Sequence, residues 1–198
     1  MVEKDLEYIL AEKNLRRRGI VKDIIIRQAA DNDIFEIKEI LRKAFDRPGK
    51  NESFNEWEFA DKVRNDSGFI RELCFVATNN NQIIGYMLLS KALIGINEGL
   101  TLGPLAVKPS YQRKGIGKKL IEYGLEKAKG LNFEWIALTG GDYYTQFGFE
   151  PALRYGIVIG EDHPENLYLK IKFLNGNVGI SGKIRFCDSF YDEDGDLL

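Results

Sequence analysis

Apolar positions along this chain change their period several times, and each change predicts an element. Ile24 to Arg27 is a short β-branched run, read as a strand. Asp31 then serves as N-cap for a helix carrying Ile34, Phe35, Ile37, Ile40, Leu41 and Phe45 at helical spacing, which Pro48-Gly49 ends. Ser53 opens a second helix with Glu56 at capping-box spacing and Phe54, Trp57 and Val63 among its apolar positions. Leu73 to Thr78 and Gln82 to Ile94 are apolar runs, and the polar Asn79-Asn80-Asn81 between them predicts a tight hairpin. Leu100 to Val107 is the next strand. Its Pro104 cannot donate to a ladder, so the strand is expected to bulge or splay at Gly103-Pro104.

A helix follows from near Lys114, with Ile116, Leu120, Ile121, Leu125 and Ala128 on one face and Gly130 at its end. Trp135 to Thr139 is a buried strand. Two strands joined through a helix are expected to be parallel neighbours. Phe149 to Ile159 and Leu167 to Leu174 read as two further strands, and the acidic tail from Tyr191 as loose and solvated. Residues 1–23 read as a helical arm stopping at Gly19, with Leu6, Ile9, Leu10 and Leu15 on a rough stripe. The expected organisation is therefore an arm (1–23), one domain (24–174) and a C-terminal extension with an acidic tail (175–198).

Composition narrows the function classes. In 198 residues, 44% are hydrophobic and 29% charged, enough for one domain with a real core, and the formal net charge of −2 favours no polyanionic partner. Nucleic-acid binding is not expected. No apolar run approaches the ~20 residues of a membrane span, nor does the N-terminus have a signal-peptide core, so a cytoplasmic protein is expected. Cys74, inside an apolar run, reads as a buried free thiol rather than half of a disulfide with Cys187. The single histidine, His163, lies in a polar turn and makes no metal site by itself. Arg16-Arg17-Arg18 is interspersed among acids and reads as a solvated helix end.

The segment that carries chemistry is Gln112-Arg113-Lys114-Gly115-Ile116-Gly117, between a strand and a helix. Glycines one residue apart at a helix N-terminus let backbone N–H groups converge on an anion, and Arg113, Lys114, Lys118 and Lys119 surround the same point with positive charge. A P-loop would need glycine at 112 and Ser or Thr at 119, where Gln and Lys stand. A dinucleotide fingerprint would need glycine at 120, where Leu stands.

The remaining pattern, Gln/Arg-x-x-Gly-x-Gly/Ala after the run Gly103 to Gln112, resembles motif A of the GNAT superfamily of acetyl-CoA-dependent N-acetyltransferases. Tyr144 to Phe149 resembles that family's Tyr-x-x-x-Gly-Phe signature. Asp142-Tyr143-Tyr144, Leu153 to Ile157 and the extension with Val178 to Phe186 are similar to the YhbS-like acetyltransferases within it. The resemblance spans roughly residues 24–174. It implies an α+β fold in α/β/α layers, with a mixed, mostly antiparallel central sheet and splayed parallel strands 4 and 5.

It also implies acetyl-CoA as acyl-donor cosubstrate, no metal, and transfer of acetyl to a primary amine of a small molecule or protein by direct attack on the thioester. The pyrophosphate is then expected on backbone N–H groups from Arg113 to Lys118, through Lys114, Gly115, Ile116 and Gly117 beside Gln112. The pantetheine amides are expected along Leu105, Ala106 and Val107. Tyr144 takes the place of the general acid, with adjacent Tyr143 the residue most easily confused with it and aromatic packing its other role. Residues 99–111 contain no carboxylate, so a general base is open among Glu98, Asp46 and Glu56 or a relay through water. Trp57 and Phe54 with Phe59 either line an acceptor pocket or only pack the second helix. The alternative function is a catalytically silent acyl-CoA sensor of the same fold. The acceptor amine is not legible, and a homodimer is left open by the habit of late strands in such folds to pair between subunits.

Overall fold

The computed structural model describes residues 23–46, 55–177 and 179–198. The expected arm, the Arg16–Arg18 cluster, the Pro48-Gly49 break, Ser53, Phe54 and Val178 lie outside them.

The elements run β1 (Ile25–Gln28), α1 (Ile34–Phe45), α2 (Glu56–Arg64), β2 (Phe69–Asn79), β3 (Gln82–Ile94), β4 (Asn97–Val107), α3 (Ile116–Gly130), β5 (Trp135–Thr139), β6 (Glu150–Pro151), β7 (Ile157–Val158), β8 (Leu169–Phe173) and β9 (Gly182–Phe186). The central sheet has the order β1-β2-β3-β4-β5-β8-β6, antiparallel throughout except for the parallel pair β4–β5. This is the expected α+β architecture with a mixed sheet.

Both faces of the sheet are covered, which is why β2 and β3 read as continuous apolar runs instead of alternating ones. Leu73, Phe75, Ala77, Ile84 and Met87 face α3 with Leu120 and Ile121, while Cys74, Val76, Tyr86 and Leu88 face α1 and α2 with Ile37, Leu41 and Val63. The hairpin between β2 and β3 turns through Asn80 and Asn81, with φ of 48° and 62°. Asparagine tolerates this left-handed conformation, and two such residues match the turn whose twist fits the strands it joins.

Three expectations at the element level change. The helix predicted from Asp31 starts at Ile34 behind a short 3-10 turn, and Asp33 does the tying that Asp31 was expected to do. The Asp33 carboxylate accepts two hydrogen bonds from the Arg27 guanidinium, at 2.6 and 2.9 Å, and one from Ala30 N at 2.7 Å. These bonds, with that to Arg27 the largest influence, outweigh burial and hold the Asp33 carboxyl below its ordinary range. Replacing Asp33 with alanine is expected to cost about 2 kcal/mol, read as a lower denaturation midpoint at pH 7. Because the native value is depressed, the contribution is complete above the unfolded value of about 3.9 and fades as pH falls through the native one, so wild type and variant should converge in acid.

The strand predicted over 149–159 is instead two two-residue strands around a 3-10 turn at Ala152–Tyr155. Gly156, at φ 65°, closes that turn, and Pro151 cannot donate to a ladder.

The tail keeps Asp192, Glu193, Asp194 and Asp196 in solvent, but it is not loose. Asp192 Oδ1 accepts from Asp194 N and Asp196 N, Leu198 N donates to Phe190 O, and Tyr191 bridges Leu197. Beyond 174 the chain also returns to the sheet: β9 pairs antiparallel with the end of β3 and parallel with β7. Ile184 and Phe186 complete a third core cluster with Trp135, Ile157 and Ile171.

Candidate functional site: two cavities around a split sheet

The site is created by how little of β4 and β5 pair. Only Leu100–Ile136 and Thr101–Ala137 are in register, after which the strands diverge. Opposite β3, the register steps from Met87–Leu105 to Leu89–Leu102, so Gly103 and Pro104 together stand against one residue, Leu88. This is the bulge that the proline foretold. From Leu102 onward no described strand lies against the β5-facing edge of β4. Gly99 supports the junction: a Cβ there would come within 2.2 Å of the buried Trp135 ring.

A cavity of about 440 Å³ opens on one side of the split. Leu105 and Val107 form its strand wall, Gln112, Arg113 and Gly115 its loop wall, and Ile116, Gly117 and Lys118 its helix end. Gln112 Nε2 donates to Val107 O at 3.1 Å, tying the loop to the strand end. Arg113 and Gly115 have φ of 57° and 82°, and no side chain caps α3. The first N–H groups of the helix therefore face this space with the positive end of the helix dipole behind them.

Eight of the ten residues expected around the cosubstrate line this cavity; two do not present their side chains to it. Ala106 points to the opposite face, into the core under α1 and α2, because side chains alternate along a strand. Lys114 bends back, its Nζ donating to Ser110 O at 2.9 Å and lying 5.4 Å from the Tyr111 ring centroid. Arg113 makes no ion pair among the described residues, and Lys118 has only an exposed contact with Glu122 at 3.7 Å.

A second cavity, of about 340 Å³, lies on the other side of the split and shares Leu105 with the first. The adjacent tyrosines part here. Tyr143 lines the first cavity, where a Cβ on Gly117 would meet its Oη at 3.4 Å; Tyr144 lines the second. They sit in a 3-10 turn at Asp142–Phe147, edge-to-face at 5.4 Å, with Tyr144 also edge-on to Phe149. Gly140 lets the ring settle, since a Cβ there would be 2.6 Å from Tyr144 Cε2. Burial, with a smaller contribution from Tyr143, raises the Tyr144 phenol above its ordinary value, so it stays protonated at neutral pH.

Of the open carboxylates, Glu56 lines the second cavity. Glu98 is at the far hairpin, paired with Lys91 at 3.1 Å, and Asp46 is an exposed residue at the end of α1. Phe59 lines the cavity, whereas Trp57 does not: it lies in the groove between α1 and α2 with Lys38 Nζ 3.4 Å from its ring. Sequence reasoning missed the far wall, made of Phe186, Phe190, Leu197 and Leu198. No local pattern marks those four, because what brings them there is the long-range pairing of β9 with β3. Tyr143 and Gln146 in the first cavity were also missed, although their place in the Tyr144 motif is a usable signal.

The comparisons with known proteins agree with this geometry. Residues 71–151 match the acetyltransferase (GNAT) domain family. Over that stretch the chain is similar to the GNAT acetyltransferases. An uncharacterized N-acetyltransferase of Escherichia coli K12, YjhQ, is 28% identical over 127 residues; the match covers 61% of this chain and 66% of that protein, just under two thirds. A GNAT family acetyltransferase from Brucella melitensis, solved with acetyl-CoA, superposes with a TM-score of 0.70 at 28% identity, covering 85% of this chain and 98% of that one. The E. coli GNAT family N-acetyltransferase YhbS, solved with CoA, has a TM-score of 0.73 at 24% identity, over 84% of this chain and 91% of that one, and shares the fold. The split sheet, the bulged strand and the glycine loop thus lie within a GNAT fold. Among the described residues, no helix is long and apolar enough to cross a membrane, and no group of three His, Cys, Asp or Glu side chains is placed to hold a metal.

Proposed function

We propose that the protein transfers the acetyl group of acetyl-CoA to a primary amine, with the donor in the Gly115–Gly117 cavity and the amine in the cavity beside Tyr144. The observation that carries this reading is the shared wall: both cavities meet at Leu105, where β4 and β5 part, so a thioester reaching through the split from one side is met by an amine from the other. The relative from Brucella melitensis, solved with acetyl-CoA, supports the choice of donor.

In this reading the pyrophosphate takes the free helix N–H groups of Ile116, Gly117 and Lys118 with Arg113 beside them. The pantetheine arm lies along the open edge of β4 at Leu105–Val107, its amides using backbone groups that β5 leaves unpaired. For Ala106 and Lys114 the contribution is their backbone, not their side chains. The neutral amine nitrogen bonds to the thioester carbon, and a backbone N–H near Leu105 takes the charge on the carbonyl oxygen. The C–S bond then breaks, the thiolate takes the Tyr144 phenolic proton, and the nitrogen releases its own proton to water, from which Tyr144 is reprotonated.

Acetyl-CoA with a panel of primary amines should release free thiol in step with acetylated amine. Saturable CoA binding with no thiol release from any amine would instead establish the silent sensor.

A further inference from the structure

Residues 186–198 lie outside the stretch that matches the GNAT domain family, which ends at residue 151, yet Phe186, Phe190, Leu197 and Leu198 form one wall of the cavity beside Tyr144. What places that wall is a seam with the turn that follows α2. Asp66 accepts Ser189 N at 2.8 Å and Ser189 Oγ at 2.7 Å with one carboxylate oxygen, and Gly68 N at 2.7 Å with the other. Burial alone would raise this carboxyl; the hydrogen bonds from Gly68, Ser189 and Ser67 outweigh it and hold it below its ordinary value, so it is an ionised acceptor at neutral pH. Gly68 lets the two segments touch, since a Cβ there would stand 2.5 Å from Cys187 Cβ.

The seam reaches the cavity through rings. Ser189 and Phe190 share one 3-10 turn, Asp188–Phe190, so fixing the first directs the second. The Phe190 ring is edge-on to Phe59 of α2 at 4.8 Å and stacked on Phe186 at 5.0 Å. Phe186 N donates to Tyr191 Oη at 3.0 Å and Leu198 N to Phe190 O at 3.0 Å, which draws the rest of the segment onto the same wall. Asp66, Gly68 and Ser189 do not line the cavity themselves.

Resting on the transferase reading for the role of that cavity, we infer that residues 186–198 are part of the acceptor site and that Asp66 is its positioning residue. Asp66 touches neither substrate; through Ser189 it presets the wall that Phe190, Leu197 and Leu198 present to the bound amine. With the clasp broken the wall is in place for only a fraction of the time, and the apparent affinity for the amine falls to match that fraction. The donor cavity takes no support from this seam, so binding of CoA is left alone.

Two readouts on the full chain test this. Hydrogen exchange followed by mass spectrometry, with CoA present, should show Asp66→Ala speeding exchange at least about tenfold across residues 188–198 and leaving α3 unchanged. Kinetics with the best amine of a panel should show the amine KM raised about tenfold, with kcat and the CoA KM within about twofold of wild type. Ser189→Ala should raise the same KM about threefold, and Ser189→Thr should restore it. Gly68→Ala, which disturbs the seam at Cys187 without removing a charge, should also raise it and keeps the test open if Asp66→Ala does not fold. Faster exchange at 188–198 with an unchanged amine KM would overturn the inference. So would exchange there that no variant speeds, or a loss in every kinetic constant with faster exchange throughout the chain, which marks a merely structural carboxylate. A wild type that binds CoA and turns over no amine ends the transferase reading and this inference with it. A wild type that turns over amines with a KM indifferent to Asp66, Gly68 and Ser189 ends the inference alone.

Discussion

Tyr144→Phe is expected to lower kcat by a hundredfold or more, on the order of the contribution of a positioned general acid, while leaving CoA affinity within about twofold. The substitution keeps the ring that packs edge-on to Tyr143 and Phe149 and removes only the proton donor. Tyr143→Phe is the internal control. Its hydroxyl faces the other cavity, near Gly117, so any loss should appear in donor affinity and not in kcat.

The pH profile separates the two roles further. Burial raises the Tyr144 value above the ordinary tyrosine value of about 10, and a general acid works while protonated. Activity should therefore rise with pH as the amine loses its proton and show no descending limb from Tyr144 below pH 10. If Tyr144→Phe retained wild-type kcat, the thiolate would be leaving unprotonated or by another donor. Tyr144 would then be a packing residue.

Gly117→Asp is expected to weaken CoA binding roughly a hundredfold while leaving the protein at least as stable as wild type. The two effects have opposite sign for one reason. Gly117 is in the first turn of α3, where a carboxylate favours the helix dipole and almost any residue is a better helix former than glycine. A new Cβ would meet Tyr143 Oη at 3.4 Å and Val107 Cγ2 at 3.8 Å, ordinary contact distances, so the fold has room. The carboxylate would stand where the pyrophosphate is expected and repel it. Thermal denaturation and calorimetric titration with CoA read the two effects independently, and unchanged CoA affinity would move the phosphates away from this helix end.

Much of this site was legible because its parts are local. The cradle needs glycines near one another at a helix start, the bulge needs a proline that cannot donate, and the tyrosine motif lies within six residues; each is a property of neighbouring side chains and backbone. The hairpin at Asn80-Asn81 belongs with them. Where neighbours compete, local reading failed by small steps: Asp33 in place of Asp31, or two fragments in place of one strand at 149–159, where Pro151 and Gly156 won over β-branched propensity.

The second cavity was not legible because nothing local builds it. The sequence left Glu98, Asp46 and Glu56 all open, and only the packing of α2 beside the bulge puts Glu56 at the second cavity. Tyr143 and Tyr144 differ by one position, and the 3-10 turn over Gly140 sends them to opposite sides of the split. The tail read as solvated because its aspartates are. Asp66, 123 residues before Ser189, draws it back, and the β9–β3 pairing places its aromatic residues. By itself, then, the sequence determined the layered fold and the anion cradle, since those depend on period, turn chemistry and spacing. The tertiary structure alone decided which carboxylate and which apolar wall line the second cavity, because that depends on contacts between segments far apart in the chain.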